Sequence, residues 1–217
     1  MARKKIAILI SGRGSNMQAL IEAARDREFP AEIAQVISNR PEAAGLARAA
    51  AAGIPTAVVD HKAYRGREAF EAALHAALVA AGAELVCLAG FMRLLTAGFV
   101  NAWRDRLINI HPSLLPAFPG LDTHARALAA GVRFAGCTVH FVRPEMDNGP
   151  IIVQAAVPLR PGDDEPALAA RVLEAEHRAY PLALALVASG RARVVGDTVA
   201  IDGAAAPAGF LMNPAGA

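Results

Sequence analysis

Lys5-Ile-Ala-Ile-Leu-Ile10 runs directly into Ser11-Gly-Arg-Gly-Ser-Asn16, and beyond it apolar residues recur at Met17, Leu20, Ile21 and Ala24. A short apolar run, a glycine-rich turn and a period near 3.6 mark a buried strand feeding an amphipathic helix. The pattern repeats along the chain. Residues 32–38, 56–59, 84–89 and 107–110 read as further buried strands, and Phe70, Leu74, Ala77 and Leu78 line the inner face of another crossover helix. Strands of this kind alternating with helices predict an α/β fold, a Rossmann-like and mainly parallel sheet flanked by helices. Ser15 with Gln18 three residues on has the form of a capping box at the first helix.

After Ile110 the texture changes, because His111-Pro-Ser-Leu-Leu-Pro-Ala-Phe-Pro-Gly120 can form neither helix nor central strand. Beyond this stiff loop, residues 137–143 and 151–159 read as two strands joined through Pro144-Glu-Met-Asp-Asn-Gly-Pro150, an antiparallel C-terminal extension of the sheet. A long helix is predicted over 165–188, its start marked by Gly162-Asp-Asp-Glu165. Leu168, Val172, Ala175, Ala179, Leu182 and Leu186 step along one face of it. One domain is expected over 1–203, with a loosely ordered tail rich in Ala, Pro and Gly over 204–217.

The 217 residues are 54% hydrophobic, yet no apolar run approaches the roughly 20 residues that cross a bilayer. The basic start and apolar residues 6–10 lack a cleavage pattern and read as the first strand, not a signal peptide. Net charge is +2, and no basic stripe with interleaved aromatics occurs, so neither nucleic acid nor membrane is an expected partner. Cys87 and Cys137 are far apart and belong to no Cys/His cluster; they read as buried small hydrophobes in a reducing cytoplasm, with no metal site.

The glycine loop sits where backbone N–H groups and a helix dipole favour a phosphate. A dinucleotide fingerprint would place glycine at Met17 and an acidic residue where Ser38-Asn-Arg40 stands, and a Walker loop would end in Gly-Lys-Ser/Thr. The remaining readings are a cradle for one phosphomonoester or a plain strand-to-helix turn. Asn109 and His111 are two apart at a strand end, so both side chains leave one face at the carboxyl edge where open α/β sheets bind ligands. An amide can stabilise an oxyanion and an imidazole can move protons, a pairing suited to acyl transfer; a structural His-Pro is the alternative. Asp147 is either an Asx-type turn residue or, if its turn folds over the sheet edge, a carboxylate that favours the charged form of His111.

Taken together, Ser11-Gly-Arg-Gly-Ser-Asn16, Gly90-Phe-Met-Arg-Leu-Leu95, Asn109-Ile-His-Pro-Ser-Leu-Leu-Pro116, Pro119-Gly-Leu-Asp-Thr-His124 and Met146-Asp-Asn-Gly-Pro150 resemble, in order, the phosphoribosylglycinamide formyltransferase (glycinamide ribonucleotide transformylase) family of folate-dependent enzymes. The resemblance spans about residues 5–203. It implies the formyltransferase fold and transfer of a formyl group from 10-formyltetrahydrofolate, a co-substrate, to the amine of glycinamide ribonucleotide in de novo purine synthesis, without a metal. Asn109 would hold the oxyanion, His111 would donate a proton, and Asp147 would orient and charge His111. Gly14, Ser15 and Asn16 would cradle the ribonucleotide phosphate and Glu176 its ribose and glycinamide side. Folate would lie against Met92, Arg93, Leu94, Leu95, Asn109 and the loop Arg143, Pro144, Glu145, Met146 and Asp147, with Arg67 toward its acidic end.

On the residues alone, Glu176 also reads as a solvated helix residue, Arg67 as a surface charge and 92–95 as ordinary core. His140 reads as a satisfied core histidine, His124 as a helix flank or site neighbour, His61 and His75 as surface residues, and His177 as a neighbour of Glu176. The sequence departs from the family at Asp122, Ala117-Phe118 and Leu173, where His, Lys-Tyr and Gln often stand. Length and charge oppose a methionyl-tRNA formyltransferase with its basic barrel, and the early first strand opposes a formyltetrahydrofolate hydrolase with its N-terminal regulatory domain. A non-catalytic nucleotide-binding module would leave Asn109, His111 and Asp147 without a reason to co-occur. A cytoplasmic monomer or homodimer is expected.

Overall fold

The computed structural model describes residues 2–203, 205 and 208–214. β1 (Lys4–Ile10) lies mid-sheet, and its Ile6, Ile8 and Ile10 face one core while Ala7 and Leu9 face the other. This two-sided burial is why the run is continuously apolar instead of alternating. β2 (Ala31–Ser38), β3 (Thr56–Val58), β4 (Leu85–Leu88) and β5 (Leu107–His111) complete the parallel part. β6 (Phe134–Phe141) pairs antiparallel with β5, and β7 (Ile151–Pro158) antiparallel with β6, giving the order β3-β2-β1-β4-β5-β6-β7. The sheet order therefore reverses between β1 and β4, the switch point where such folds bind ligands.

α1 (Ser15–Ala24), α2 (Ala44–Ala51) and α3 (Arg67–Ala80) cross between the parallel strands. The short α4 (Ala97–Ala102) and α5 (Thr123–Ala129) punctuate the loops after β4 and β5. α6 (Glu165–Ala188) has the predicted bounds, and Asp164 caps it by accepting the Ala167 N–H at 2.9 Å. Its inner face, including Leu168, Val172, Ala179 and Tyr180, packs against β6, β7 and α1.

Three expectations change. The capping box at α1 does not form: the N-cap is Gly14 with φ 73°, left-handed, and no side chain caps the helix. The backbone needs glycine there, and Ser15 enters as the first helical residue. A second, two-stranded antiparallel sheet, β8 (Ala192–Val195) with β9 (Thr198–Ile201), follows α6 and was not foreseen. The strand read over 137–143 begins earlier, at Phe134. Of the tail over 204–217, residues 204, 206, 207 and 215–217 lie outside the described residues. Within the described part, the Asn213 side-chain amide donates to Arg133 O (2.7 Å) and Leu159 O (2.9 Å) at the outer end of β6 and β7.

Candidate active site

Two groups of side chains converge at the carboxyl ends of the central strands. The first forms around the glycine loop. Gly14 is closed in on both sides, because a Cβ there would stand 3.0 Å from Met17 Cε and 3.1 Å from Gly45 Cα. Gly45, on α2, donates its N–H to Gly12 O (3.0 Å), and a Cβ at 45 would meet Ile10 Cδ1 at 2.6 Å. Gly45 thus sets the shape of the loop, and the one sequence signal for it was a glycine inside an alanine-rich helix. Asn16, in the first turn of α1, donates Nδ2–H to Glu176 Oε2 at 2.7 Å, across 160 residues of sequence. Glu176 is buried, contrary to the reading of a solvated helix residue. Burial pushes its carboxyl up from the ordinary range, and the Asn16 amide partly opposes that. Among the described residues Asn16 Oδ1 is a buried acceptor without a hydrogen-bond partner.

The second group is built on the β5/β6 pair. Asn109 and His111 leave one face of β5, and the register sets Asn109 opposite His140 and His111 opposite Thr138. Asn109 Nδ2 lies 3.4 Å from His140 Nε2, while His140 Nδ1 is 3.0 Å from Phe141 O. A carbonyl only accepts, so Nδ1 carries the His140 proton and Nε2 is left to accept from the amide. Burial lowers the pKa of His140, offset in part by the Phe141 carbonyl and the charge of Asp147. His111 is buried as well; its Nε2 donates to Phe118 O at 3.0 Å, and its Nδ1 is 3.4 Å from Asp147 Oδ2. Each ring nitrogen of His111 therefore faces an acceptor.

Asp147 reaches this face because its turn folds back over the sheet edge. Its own φ is 53°, left-handed, a conformation an aspartate tolerates better than most residues. The carboxylate accepts the Gly120 N–H at 2.8 Å through Oδ2, and Oδ1 lies 3.9 Å from His140 Nε2. The turn is pinned by Gly149, where a Cβ would stand 1.6 Å from Phe141 O, and by the Phe141 N–H, which donates to Pro150 O at 2.9 Å. The proline-rich loop is held from below: Thr138 Oγ1 donates to Ser113 O (2.7 Å) and accepts the Leu115 N–H (3.0 Å). Asp122, one of the departures, is the left-handed N-cap of α5, and Phe118, another, supplies the carbonyl that holds His111.

Tyr180 connects the two groups. One turn along α6 from Glu176, its buried hydroxyl lies 3.0 Å from Leu88 O and 3.3 Å from Ile108 O, the carbonyl just before Asn109. The structure thus gathers Asn109, His111 and Asp147 in one place; His140 is buried and partnered at both ring nitrogens, as a satisfied core histidine is, and its Nε2 also borders this group. The structure joins Gly14, Ser15 and Asn16 to Glu176 in another. Met92, Arg93 and Leu94 are exposed after β4, with Met92 at 68% and Leu94 at 64%, and Leu95 is half-buried. Pro144, Glu145 and Met146 are exposed in the Asp147 turn, whereas the Arg143 guanidinium is held by Asp105 Oδ1 at 2.6 Å. Arg67 is exposed at the first turn of α3.

His124 Nδ1 and His177 Nε2 are buried without partners, and burial lowers the pKa of both rings. His75 is exposed, its ring edge-on to Trp103; His61 is instead half-buried, its Nδ1 2.8 Å from Asn39 O. Two surface clefts have volumes of about 510 and 800 Å³, and the second is lined in part by Arg143, Pro144 and Glu145 of the candidate folate loop. One is lined by Lys4, Glu84 and Arg106, the other by Arg143, Glu145 and Asp197, and neither includes Asn109 or His111. Convergent polar chemistry locates the site better than cleft volume does. Among the described residues no three His, Cys, Asp or Glu side chains are grouped to hold a metal ion, and no helix is long and apolar enough to cross a membrane.

Known proteins resemble this chain over most of its length. A trifunctional purine biosynthetic protein of Drosophila melanogaster is 54% identical over 194 residues, 88% of this chain, which spans only 14% of that longer protein. A phosphoribosylglycinamide formyltransferase of Escherichia coli (strain K12) is 44% identical over 202 residues, covering 93% of this chain and 95% of its own. The crystal structure of glycinamide ribonucleotide transformylase 1 from Symbiobacterium toebii superposes with a TM-score of 0.89 at 50% identity, over 92% of this chain and 94% of the other. The formyl transferase family model matches residues 4–184, a stretch that runs from β1 into α6 and contains both groups of converging side chains, so the chain belongs to the formyl transferase family.

Proposed function

We propose that this chain transfers the formyl group of 10-formyltetrahydrofolate to the amine of glycinamide ribonucleotide, yielding formylglycinamide ribonucleotide and tetrahydrofolate in de novo purine biosynthesis. The observation that carries the proposal is the meeting of Asn109, His111 and Asp147 at the carboxyl edge of the sheet, on the same edge as a glycine loop that opens α1 with a left-handed Gly14.

The ribonucleotide phosphate sits on the N–H groups of Gly14, Ser15 and Asn16 at the start of α1. The buried, unpartnered Asn16 Oδ1 suits a hydroxyl or N–H donor of the same substrate, and Glu176 faces its ribose and glycinamide side. The exposed apolar side chains of Met92, Leu94 and Met146 suit the flat folate ring, with Arg93 and Leu95 flanking it. Arg143, Pro144, Glu145, Met146 and Asp147 wall the opposite side; Arg143 contributes main chain, because Asp105 holds its guanidinium. Arg67 serves the acidic end of the co-substrate.

The neutral amine attacks the formyl carbon, and the new C–N bond places negative charge on the formyl oxygen. Asn109 Nδ2, held only by a long 3.4 Å contact to His140, pivots to donate to that oxyanion. His111 supplies the proton that N10 of the folate takes as the C–N10 bond breaks, and the proton shed by the attacking nitrogen passes to His111, returning it to its starting state. Asp147 Oδ2, 3.4 Å from His111 Nδ1, fixes the ring orientation. Residues 1–203 act as one domain in the cytoplasm, as a monomer or homodimer whose partners are small molecules.

The test is incubation of the purified chain with 10-formyltetrahydrofolate and glycinamide ribonucleotide, with the products identified by mass spectrometry. Formylated ribonucleotide in step with tetrahydrofolate is expected. Formate release with no formylated ribonucleotide would overturn the acceptor and indicate a hydrolase.

A further inference from the structure

We propose that Ser11 is a positioning residue that ties the phosphate loop to the 90–95 segment, so that filling one substrate subsite strengthens binding at the other; this rests on the formyl-transfer reading above. β1 and β4 pair in register as far as Leu9 and Leu88, and the Ala89 N–H still donates to Leu9 O at 2.9 Å. Past that point the two chains diverge, one into the glycine loop and α1, the other into the exposed Met92–Leu94 stretch. Ser11 continues the ladder across the divergence. Its N–H donates to Gly90 O at 3.1 Å, and its hydroxyl oxygen accepts the Met92 N–H at 2.8 Å. A side-chain oxygen stands here in place of the strand carbonyl that the departing backbone no longer offers.

The hydroxyl is not free to turn. Met92 N–H can only donate, so the single hydroxyl proton goes to Asn39 Oδ1, 2.5 Å away. Ser11 is 4% exposed and Asn39 2%, so water does not compete for either bond. Asn39 follows β2 and is braced by His61, whose Nδ1 lies 2.8 Å from Asn39 O. Three strand ends thus meet at one oxygen. A phosphate that settles the glycine loop three residues on also settles Met92, and a folate ring resting on Met92 and Leu94 settles the glycine loop. Ordering of the shared unit by the first ligand leaves less ordering for the second.

The experiment is calorimetric titration of the full chain with 5,8-dideazafolate, which carries no formyl group to transfer, in the absence and presence of saturating glycinamide ribonucleotide. For the natural chain the ribonucleotide should tighten the analogue about fivefold or more, the usual scale of such coupling. Ser11→Ala should bind each ligand alone but bring that ratio to within about twofold of unity. Asn39→Asp, which keeps an acceptor for the hydroxyl, should retain the ratio, and Asn39→Ala should at least halve it. The Asn39 pair decides the matter if Ser11→Ala does not fold. A packing role for Ser11 would lower stability and both affinities together without moving the ratio. An undiminished ratio in Ser11→Ala and Asn39→Ala, or binding of both ligands to the natural chain without coupling, overturns the proposal. Failure of the natural chain to bind either ligand refutes the formyl-transfer reading instead.

Discussion

Replacing Gly149 with alanine should damage stability and activity together, because the Cβ would fall 1.6 Å from Phe141 O and 3.2 Å from His140 Nδ1. To restore even 3.0 Å, the shortest contact real Cβ atoms make, that carbonyl must retreat by about 1.4 Å. The retreat breaks two bonds: Phe141 N–H to Pro150 O at 2.9 Å, and His140 Nδ1–H to Phe141 O at 3.0 Å. A buried donor or acceptor left unpaired costs about 1–3 kcal/mol, and overpacking adds about as much again. With two such bonds lost and the overpacking added, a loss near 3–9 kcal/mol is expected, against a total stability of roughly 5–15 kcal/mol. In a chain of this size, at about 2–4 °C per kcal/mol, the fall in Tm is at least about 6 °C. The displaced turn carries Asp147, and a misplacement of about 1 Å at a reacting centre lowers kcat/KM by about 10²-fold. Differential scanning calorimetry and steady-state formyl transfer measure the two effects. A Gly149→Ala variant that melts within 2 °C of the natural chain, or keeps its kcat/KM, would refute the reasoning.

Glu176→Gln should stabilise the protein at neutral pH while raising the KM for the ribonucleotide. Burial raises the carboxyl's pKa in the folded state, so its contribution is full below the unfolded value of about 4.5 and is lost as pH rises through the folded value. The advantage of glutamine in urea denaturation should therefore vanish at pH 4, and an equal advantage there would contradict it. His124, His140 and His177 are all lowered by burial, so their contribution is present above the unfolded value of about 6.5 and is lost as pH falls toward the folded values. Unfolding between pH 6.5 and 5 should take up protons, with less uptake in His140→Asn; equal uptake in both would count against a neutral His140. Burial pushes the Cys87 and Cys137 thiols up to about 12, so iodoacetamide at pH 8 should leave both unmodified in the native chain and alkylate both in urea. Rapid native alkylation would show that these strands are not packed as described.

The parallel sheet was legible because β1 and β4 are apolar on both faces, β2 and β5 hold short apolar runs, and each strand is bounded by a glycine, proline or polar turn. The bounds of α6 were legible, since Asp164 announces the start and an apolar step follows, but Leu182, one of the six positions of that step, is 52% exposed. The β8/β9 hairpin was not: its strands are only four residues long and half-exposed, too short for a period-2 pattern to stand out. Asn109 and His111 were visible as a period-2 pair, and their quoted motifs pointed to Asp147. The place of His140 beside them was not, because a histidine in a strand reads the same whether its ring faces core or site; the β5/β6 register alone puts it opposite Asn109. The burial of Glu176 follows from the packing of α6 against α1, a contact that no local pattern encodes. Gly149 was readable only as a turn residue, although space, not backbone conformation, demands it.

Single-turnover formyl transfer to glycinamide ribonucleotide, in the natural chain beside Asn109→Ala and His111→Ala, tests the central claim most directly, with melting curves to establish that each variant folds. Transfer in the natural chain, slowed by at least about 10²-fold in each folded variant, is the predicted result. Undiminished transfer in either folded variant, or no formylated ribonucleotide from the natural chain, would contradict it.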